Sequence, residues 1–451
     1  MILVTRALHC AAFLVGLFVA ASPLIAAASA QSSTPIKHLI VVMQSAHSFD
    51  NYFGTYPGAN GIPDGTCMPV DPTDPNNMRC VAPFHIGSND VQPGSLNNTA
   101  ATAQLDEHGG AMDGFVYALN QRNQDGRLAM GYYDGSDIPY YWNIADQYVL
   151  FDNFFSSAIG GSESNHQYWV AGATSTGDAS NTGDVNGLTT IFDRLSQADV
   201  SWKFYVQNYD SNLNYRTASQ YASNRAAQVD SVPLLSMDRF IEDPELASHI
   251  VDLSQYYVDL ANDTLPAVAY VVASGPSEHP PTNIQSGERF VRSLLQSLMT
   301  SDSWISSAFM LTYDDWGGWF DHVSPPQVDA NGLGFRVPAL LVSPYAKQGF
   351  IDHTQLDFTS ILKFIEQNYG LQPLATRDAS ANDLSSAFDF RQAPRAANLI
   401  SMQRDTVAPK VAPKRQVIYA AYGTAVLLAG LSFCSVVLMR HRKVRLPEAD
   451  S

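Results

Sequence analysis

The sequence predicts an α/β fold: a mainly parallel central sheet covered by helices on both faces, with a C-terminal transmembrane helix appended. Three observations predict it. Strand-length apolar runs recur at His38–Gln44, Val149–Phe151, Ala267–Ala273, Ala308–Tyr313 and Ala339–Val342. They lack strict polar alternation, as strands buried on both faces do. Helical patterns lie between some of them, at Glu288–Met299 and Thr359–Tyr369, and strands interleaved with helices make layered sheets. Residues 31–390 hold no repeat and no long low-complexity segment, so one elaborated domain accounts for them.

Taken in order, the chain starts with one positive charge, Arg6, then an apolar stretch from Ala7 to Ala28 closed by Ala28-Ser29-Ala30. Residues 1–30 read as a secretory signal with Gln31 as the mature start; an uncleaved anchor is the alternative. The domain 31–390 follows, with polar, glycine-rich stretches at 54–110 and 174–187 expected as surface loops around a ligand site. Residues 391–416, rich in Ala, Pro and basic residues, read as a stalk. Val417–Met439 is long enough to span a bilayer as a helix. Arg440, Arg442, Lys443 and Arg445 follow it, so 440–451 is expected as a cytoplasmic tail. Lys410, Lys414 and Arg415 lie on the other flank and weaken the charge bias. The signal orients the chain: a large extracytoplasmic domain, anchored in the cell membrane by a single pass.

The chain carries 26 basic and 43 acidic residues, of which 15 and 40 fall within 31–390, a net of −25 for the domain. Such a domain repels nucleic acid, so nucleic-acid binding is excluded as a main function. Of four cysteines, Cys10 lies in the signal and Cys434 in the membrane segment. Cys67 and Cys80 remain, and an isolated pair in an oxidising compartment is expected to form a disulfide.

In a parallel sheet, ligands gather beyond the carboxyl ends of the strands. The first strand is followed there by Ser45-Ala46-His47-Ser48-Phe49-Asp50, and the second by Gly160-Gly161-Ser162-Glu163-Ser164-Asn165-His166. The third is followed by Ser277-Glu278-His279-Pro280-Pro281, and the fourth by Asp314-Asp315 and then His322. Adjacent carboxylates at a strand end suit a hard metal ion. A hydroxyl, two histidines and that pair make a hydrolytic site: a metal lowers the hydroxyl's pKa and screens an anionic substrate, while a histidine protonates the leaving group. Each residue also has a plain structural reading. Ser162 shapes a turn, His279 stiffens a loop, His322 caps a turn, and the acidic pair is an ordinary polar strand end.

The motifs together resemble the bacterial phosphoesterase family, which includes phosphatidylcholine-hydrolysing phospholipases C and a group of acid phosphatases. The likeness begins at Pro35-Ile36-Lys37-His38 and Ser48-Phe49-Asp50-Asn51-Tyr52-Phe53-Gly54. It continues at Met112-Asp113-Gly114-Phe115, Phe151-Asp152-Asn153-Phe154-Phe155 and Glu278-His279-Pro280-Pro281. Tyr313-Asp314-Asp315-Trp316-Gly317-Gly318-Trp319-Phe320-Asp321-His322-Val323, Arg336-Val337-Pro338, Arg377-Asp378-Ala379 and Phe388-Asp389-Phe390 complete it. The resemblance implies an alkaline-phosphatase-like core and hydrolysis of phosphate esters or phospholipid head groups. It implies Ser162 as nucleophile and metal ligand, Asp314 and Asp315 as ligands of a divalent metal ion, and His279 and His322 beside the reacting phosphate. Asn165 matches an asparagine of the nucleophile turn.

The departures carry an expectation of their own. The family's opening motif reads Gln-Glu-Asn-Arg-Ser-Phe-Asp, whereas here Ser45 and Ala46 replace its Glu and Asn. Phe358 replaces a histidine, Ser164 a proline, and a histidine before the Asp-Gly-Phe segment has no equivalent unless His85 or His108 serves. Losing such ligands weakens a cation site, and His47 or Asp50 are the available substitutes. The fold is therefore expected intact, with metal binding and turnover weakened or altered. A non-catalytic surface module on the same scaffold is the alternative, and a sulfatase-like enzyme lacks its Cys-x-Pro-x-Arg turn. Oxygen ligands leave calcium, magnesium and manganese open. Trp316, Trp319 and Phe320 either line a choline pocket by cation–π contact or pack in the core.

Overall fold

The computed structural model describes residues 31–87, 94–175, 184–274, 277–280 and 283–404. Its core is an eight-stranded sheet. In chain order the strands are β1 (His38–Gln44), β2 (Val149–Phe151), β3 (Trp202–Val206), β4 (Ile250–Asp252), β5 (Val268–Val272), β6 (Ser307–Tyr313), β7 (Ala339–Val342) and β8 (Phe350–Asp352). They lie side by side as β8-β2-β7-β6-β1-β5-β3-β4. All neighbours are parallel except those of β7, which runs antiparallel to both β6 and β2. β1, β5, β6 and β7 are buried along nearly their whole length, which is why they read as unbroken apolar runs.

Side chains on one strand alternate between faces, and β3 shows that both faces are covered. Phe204 meets Trp169 of helix α1 (Ser162–Ala171), ring centroids 5.7 Å apart. Its neighbour Tyr205 meets Tyr256 of helix α2 (Ser254–Ala261) on the opposite side, at 5.5 Å. Helix α3 (Ile284–Met299) is capped by the Asn283 side chain, and Tyr256 of α2 donates to its Leu294 carbonyl. Helix α4 (Phe358–Tyr369) opens on a capping box between Asp357 and Ser360 and ends at Gly370, whose φ of 66° suits glycine.

The expected loop 54–110 holds three short strands, Met68–Pro69, Cys80–Val81 and Phe84–His85, the expected Cys67–Cys80 disulfide beside the first two, and a helix at Ala100–Glu107. Of the expected stalk, residues 391–403 lie against the domain rather than standing clear of it, with Ile400 buried. Among the described residues no helix is long and apolar enough to cross a membrane. The expected signal at 1–30, membrane segment at 417–439 and tail at 440–451 lie outside the described residues.

Candidate active site

β1, β5 and β6 end at the same edge, and backbone bonds tie the turns that follow them. Asp314 N–H donates to Gln44 O (3.0 Å) and Ser45 N–H to Ser277 O (2.9 Å). Ser162 reaches this edge from the first turn of α1. Its entry needs two glycines, Gly160 (φ 87°) and Gly161 (φ 68°), where an L side chain is strained. Asn165 ties the same turn, accepting from Ala158 N–H and donating to the carbonyls of Ala158 and Gly161.

The hydroxyl and the acidic pair come together. Ser162 Oγ donates to Asp315 Oδ2 at 2.9 Å. Asn98 Nδ2 donates to both Asp315 oxygens, at 2.9 and 3.1 Å, and Gly317 N–H to Oδ1. Asp314 Oδ1 accepts from the N–H groups of Ala46 (2.9 Å) and Asp315 (2.8 Å), and Asp314 Oδ2 from Ser45 Oγ (3.0 Å). Ala46 thus contributes its backbone N–H to the acidic pair, and does so at φ 69°. Both carboxylates are buried. Burial pushes Asp314 above the ordinary carboxylate range; burial, then the charge of Asp314, pushes Asp315 to about 6.

These groups open onto a cavity of about 930 Å³ whose wall includes Ser45, Ser162, Glu163, His166, His279 and Asp314. His279 is where the sequence places it. Its loop is pinned by Glu278, which takes φ 65° and turns its carboxylate inward. That carboxylate accepts from the hydroxyls of Tyr52 (2.6 Å), Tyr141 and Tyr313 (2.8 Å) and from Gln44 Nε2 (3.3 Å). Burial raises Glu278 to about 7 against the lowering effect of those donors. This anchor was not foreseen, and three tyrosines scattered over 260 residues of chain give no local signal for it.

His322 does not line the cavity. Asp50 draws it into a separate network, with His322 Nδ1 2.7 Å from Asp50 Oδ2 and Nε2 3.2 Å from Asn60 Oδ1. Arg336 sits there between Asp50 and Asp321, at 3.1 and 2.9 Å. Neither expected substitute reaches the site. Asp50 is committed to Arg336 and His322. His47 is buried with Nδ1 on Asn51 Oδ1 (2.7 Å) and Nε2 on the Glu278 carbonyl (3.1 Å), and burial lowers it to about 4. Phe358 packs on Phe154, with ring centroids 6.0 Å apart. His85 pairs with Asp137 and His108 with Asp113. Trp316, Trp319 and Phe320 are core residues, Trp319 stacking on His47 and Trp316 donating to Asp106.

The donor set tests the metal expectation. Asp50, Asp321 and His322 form a compact cluster, but both of its carboxylates are already paired with the Arg336 guanidinium. His85, Asp134 and Asp137 form another, half exposed. At the cavity, Ser162 Oγ, Asp314 Oδ2 and Asp315 Oδ2 offer a hydroxyl and two buried anions side by side, an oxygen set that fits a divalent cation. The unforeseen neighbour is His166, one helical turn after Ser162, with Nε2 3.7 Å from Asp314 Oδ2 and Nδ1 2.6 Å from the Asp230 carbonyl.

A sequence model of the Phosphoesterase family matches residues 36–372. Phospholipase C B of Mycobacterium tuberculosis is 27% identical over 419 residues, covering 80% of this chain and 79% of that protein. A non-hemolytic phospholipase C of Pseudomonas aeruginosa is 28% identical, covering 79% of this chain and 57% of that protein. Among solved structures, a protein in the alkaline phosphatase superfamily from Vibrio parahaemolyticus aligns with a TM-score of 0.39 at 12% identity, covering 80% of this chain and 72% of that one.

Proposed function

The chain belongs to the Phosphoesterase family and is a phosphate-ester hydrolase, and from that premise we propose that Ser162 is its nucleophile. The observation that carries this is the 2.9 Å hydrogen bond to Asp315 from Ser162 Oγ, a residue lining a cavity large enough for a phosphorylated head group. Asp315 orients the hydroxyl and takes its proton as Oγ attacks phosphorus. The P–O bond to the alcohol breaks, and His279, facing the cavity, gives a proton to the departing oxygen. Water then attacks phosphorus with the imidazole of His279 taking its proton, the P–Oγ bond breaks, and Asp315 returns its proton to the departing Ser162 Oγ. Asp314, Asp315 and Ser162 would hold the divalent cation, which lowers the hydroxyl's pKa and screens phosphate charge. We read the substrates as phospholipid head groups or soluble phosphate esters, met outside the cell by a membrane-anchored domain.

A second reading has a specific observation in its favour. Asp314 is hydrogen-bonded by Ser45 and Ala46, the positions where the resemblance leads one to expect two metal ligands. A weakly active or non-catalytic binding module fits that arrangement. Hydrolysis of p-nitrophenyl phosphate and of a phosphatidylcholine dispersion by the purified chain, with Mn²⁺ or Ca²⁺ supplied, separates the two. Ser162→Ala is expected to lower kcat/KM by about 10³-fold or more, as loss of a nucleophile does. Equal rates for wild type and Ser162→Ala leave only the binding module.

A further inference from the structure

One stretch that no motif marks lies between the two halves of the site. Residues 96–100 run past both glycine turns that present the reacting groups. A Cβ at Gly318, three residues after Asp315, would stand 2.7 Å from Leu96 Cβ and 3.1 Å from the Asn97 carbonyl oxygen. A Cβ at Gly160, two residues before Ser162, would stand 2.5 Å from Ala100 Cα. Contact that close leaves the stretch no room to slide. Its own footing is firm. Asn97 N–H donates to Gln124 Oε1 at 2.8 Å, and Gln124 Nε2 to the Ser95 carbonyl at 2.9 Å. Asn98, between these contacts, reaches both turns. Its carbonyl accepts at 3.2 Å from the N–H of Gly161, the residue before Ser162. Its Nδ2 donates to Asp315 Oδ1 at 2.9 Å and to Oδ2 at 3.1 Å.

An aspartate side chain turns readily about its last torsion, whose preference is broad. One amide nitrogen bonded to both carboxylate oxygens removes that freedom. Gly317 N–H adds a bond to Oδ1 at 2.8 Å, which leaves Oδ2 to face Ser162 Oγ, 2.9 Å away. We infer that Asn98 is the positioning residue of the site. Its side chain fixes the Asp315 carboxylate and its carbonyl fixes the Ser162 turn, so one residue sets acid and hydroxyl in register. Asn98 does not line the cavity, and it acts through Asp315 rather than on substrate. The residue type suits the task. An amide donates without carrying charge, so it holds a carboxylate without neutralising it, whereas a lysine or arginine there would compete with a bound cation. The kinetic consequence rests on the reading of Ser162 as nucleophile and Asp315 as its proton acceptor; the structural one stands on geometry.

The test uses the full chain, with thermal unfolding to confirm that each variant folds. Asn98→Leu fills nearly the same space, keeps the carbonyl for Gly161 and loses the amide. Asn98→Ala, smaller and also without the amide, is the second variant and is expected to behave alike. With p-nitrophenyl phosphate at saturating Mn²⁺, each should show kcat about 30–100-fold lower, as misplaced catalytic groups do, and KM changed less than about 3-fold. In an Asp315→Ala background Asn98→Leu should cost less than about 2-fold more, because the residue through which it acts is already gone. Crystal structures give a readout that needs no turnover. In Asn98→Leu the Asp315 carboxylate should be rotated, with Oδ2 withdrawn beyond about 3.5 Å from Ser162 Oγ. An Asp315 that keeps its orientation and its bond to Ser162 without the Asn98 amide overturns the inference. So does a loss in the Asp315→Ala background as large as that in wild type. The hydrolase reading fails separately: if wild type and Ser162→Ala hydrolyse the ester alike, the orientation of Asp315 in Asn98→Leu still decides the role of Asn98.

Discussion

Glu278 shows how one residue couples the site to the stability of the whole. It is fully buried beside the loop that carries His279, and burial lifts it from an ordinary 4.5 to about 7 while three tyrosines and Gln44 oppose the shift. The folded chain therefore keeps a proton there that the unfolded chain releases. That contribution is present in full below about pH 4.5 and is lost as pH rises through about 7, a swing on the order of 3 kcal/mol. Glu288, raised by burial to about 8, acts in the same direction. Thermal unfolding is thus expected to show a Tm that falls between pH 5 and 8, and Glu278→Gln should make that fall shallower by removing one of the two titrations that drive it. Parallel Tm–pH curves for the two proteins would show that Glu278 does not hold its proton in the fold.

At the scale of elements, α3 carries a glycine where helix propensity asks for something else. A Cβ at Gly287 would stand 2.1 Å from Cγ and 2.3 Å from Oε1 of Glu278. Alanine gains about 1 kcal/mol in a helix interior, but here it strikes a carboxylate that four donors hold in place. Gly287→Ala is expected to lose about 1–3 kcal/mol net, as overpacked cores do, read as a lower urea midpoint with unchanged slope; a raised midpoint would refute the close packing. The elements themselves were legible in proportion to their length and purity. β1, β6 and β7 announce themselves as apolar runs. β4 and β8 are three residues each, and β3 reads Trp-Lys-Phe-Tyr-Val, with a lysine that pairs with Asp259 breaking the run. His279, Asp314 and Asp315 were legible because strand ends in a parallel sheet converge, and Ser162 because the Gly160-Gly161 turn marks the entry to α1. His322 was misplaced because its ring turns toward Asp50, a partner 272 residues away that spacing cannot reveal. His166 was readable in principle, since four residues on a helix is one turn from Ser162.

For the whole molecule, the question is where the folded domain ends. Composition puts the boundary at Phe390, where Ala, Pro and basic residues begin. The structure carries the chain on across the surface to Gln403. Arg395 lies over the Tyr148 ring, 4.7 Å from its centroid, and donates to the carbonyls of Gln147, Ser343 and Ala346. Trp304 Nε1 donates to the Arg395 carbonyl at 3.0 Å. Asn143 Nδ2 then holds the carbonyls of Ser401 and Gln403, at 2.9 and 3.0 Å, and Ile400 is 2% exposed. A low-complexity composition conceals these anchors because only one arginine and one isoleucine make most of them. Cutting at 390 exposes the Ile400 contact, worth about 2 kcal/mol by burial alone, and leaves Trp304 and Asn143 without their carbonyls. A fragment spanning 31–403 is therefore expected to exceed 31–390 by about 2–5 kcal/mol in urea unfolding. Arg395→Ala in the longer fragment should recover part of that difference, whereas equal stability of the two fragments would return the boundary to Phe390.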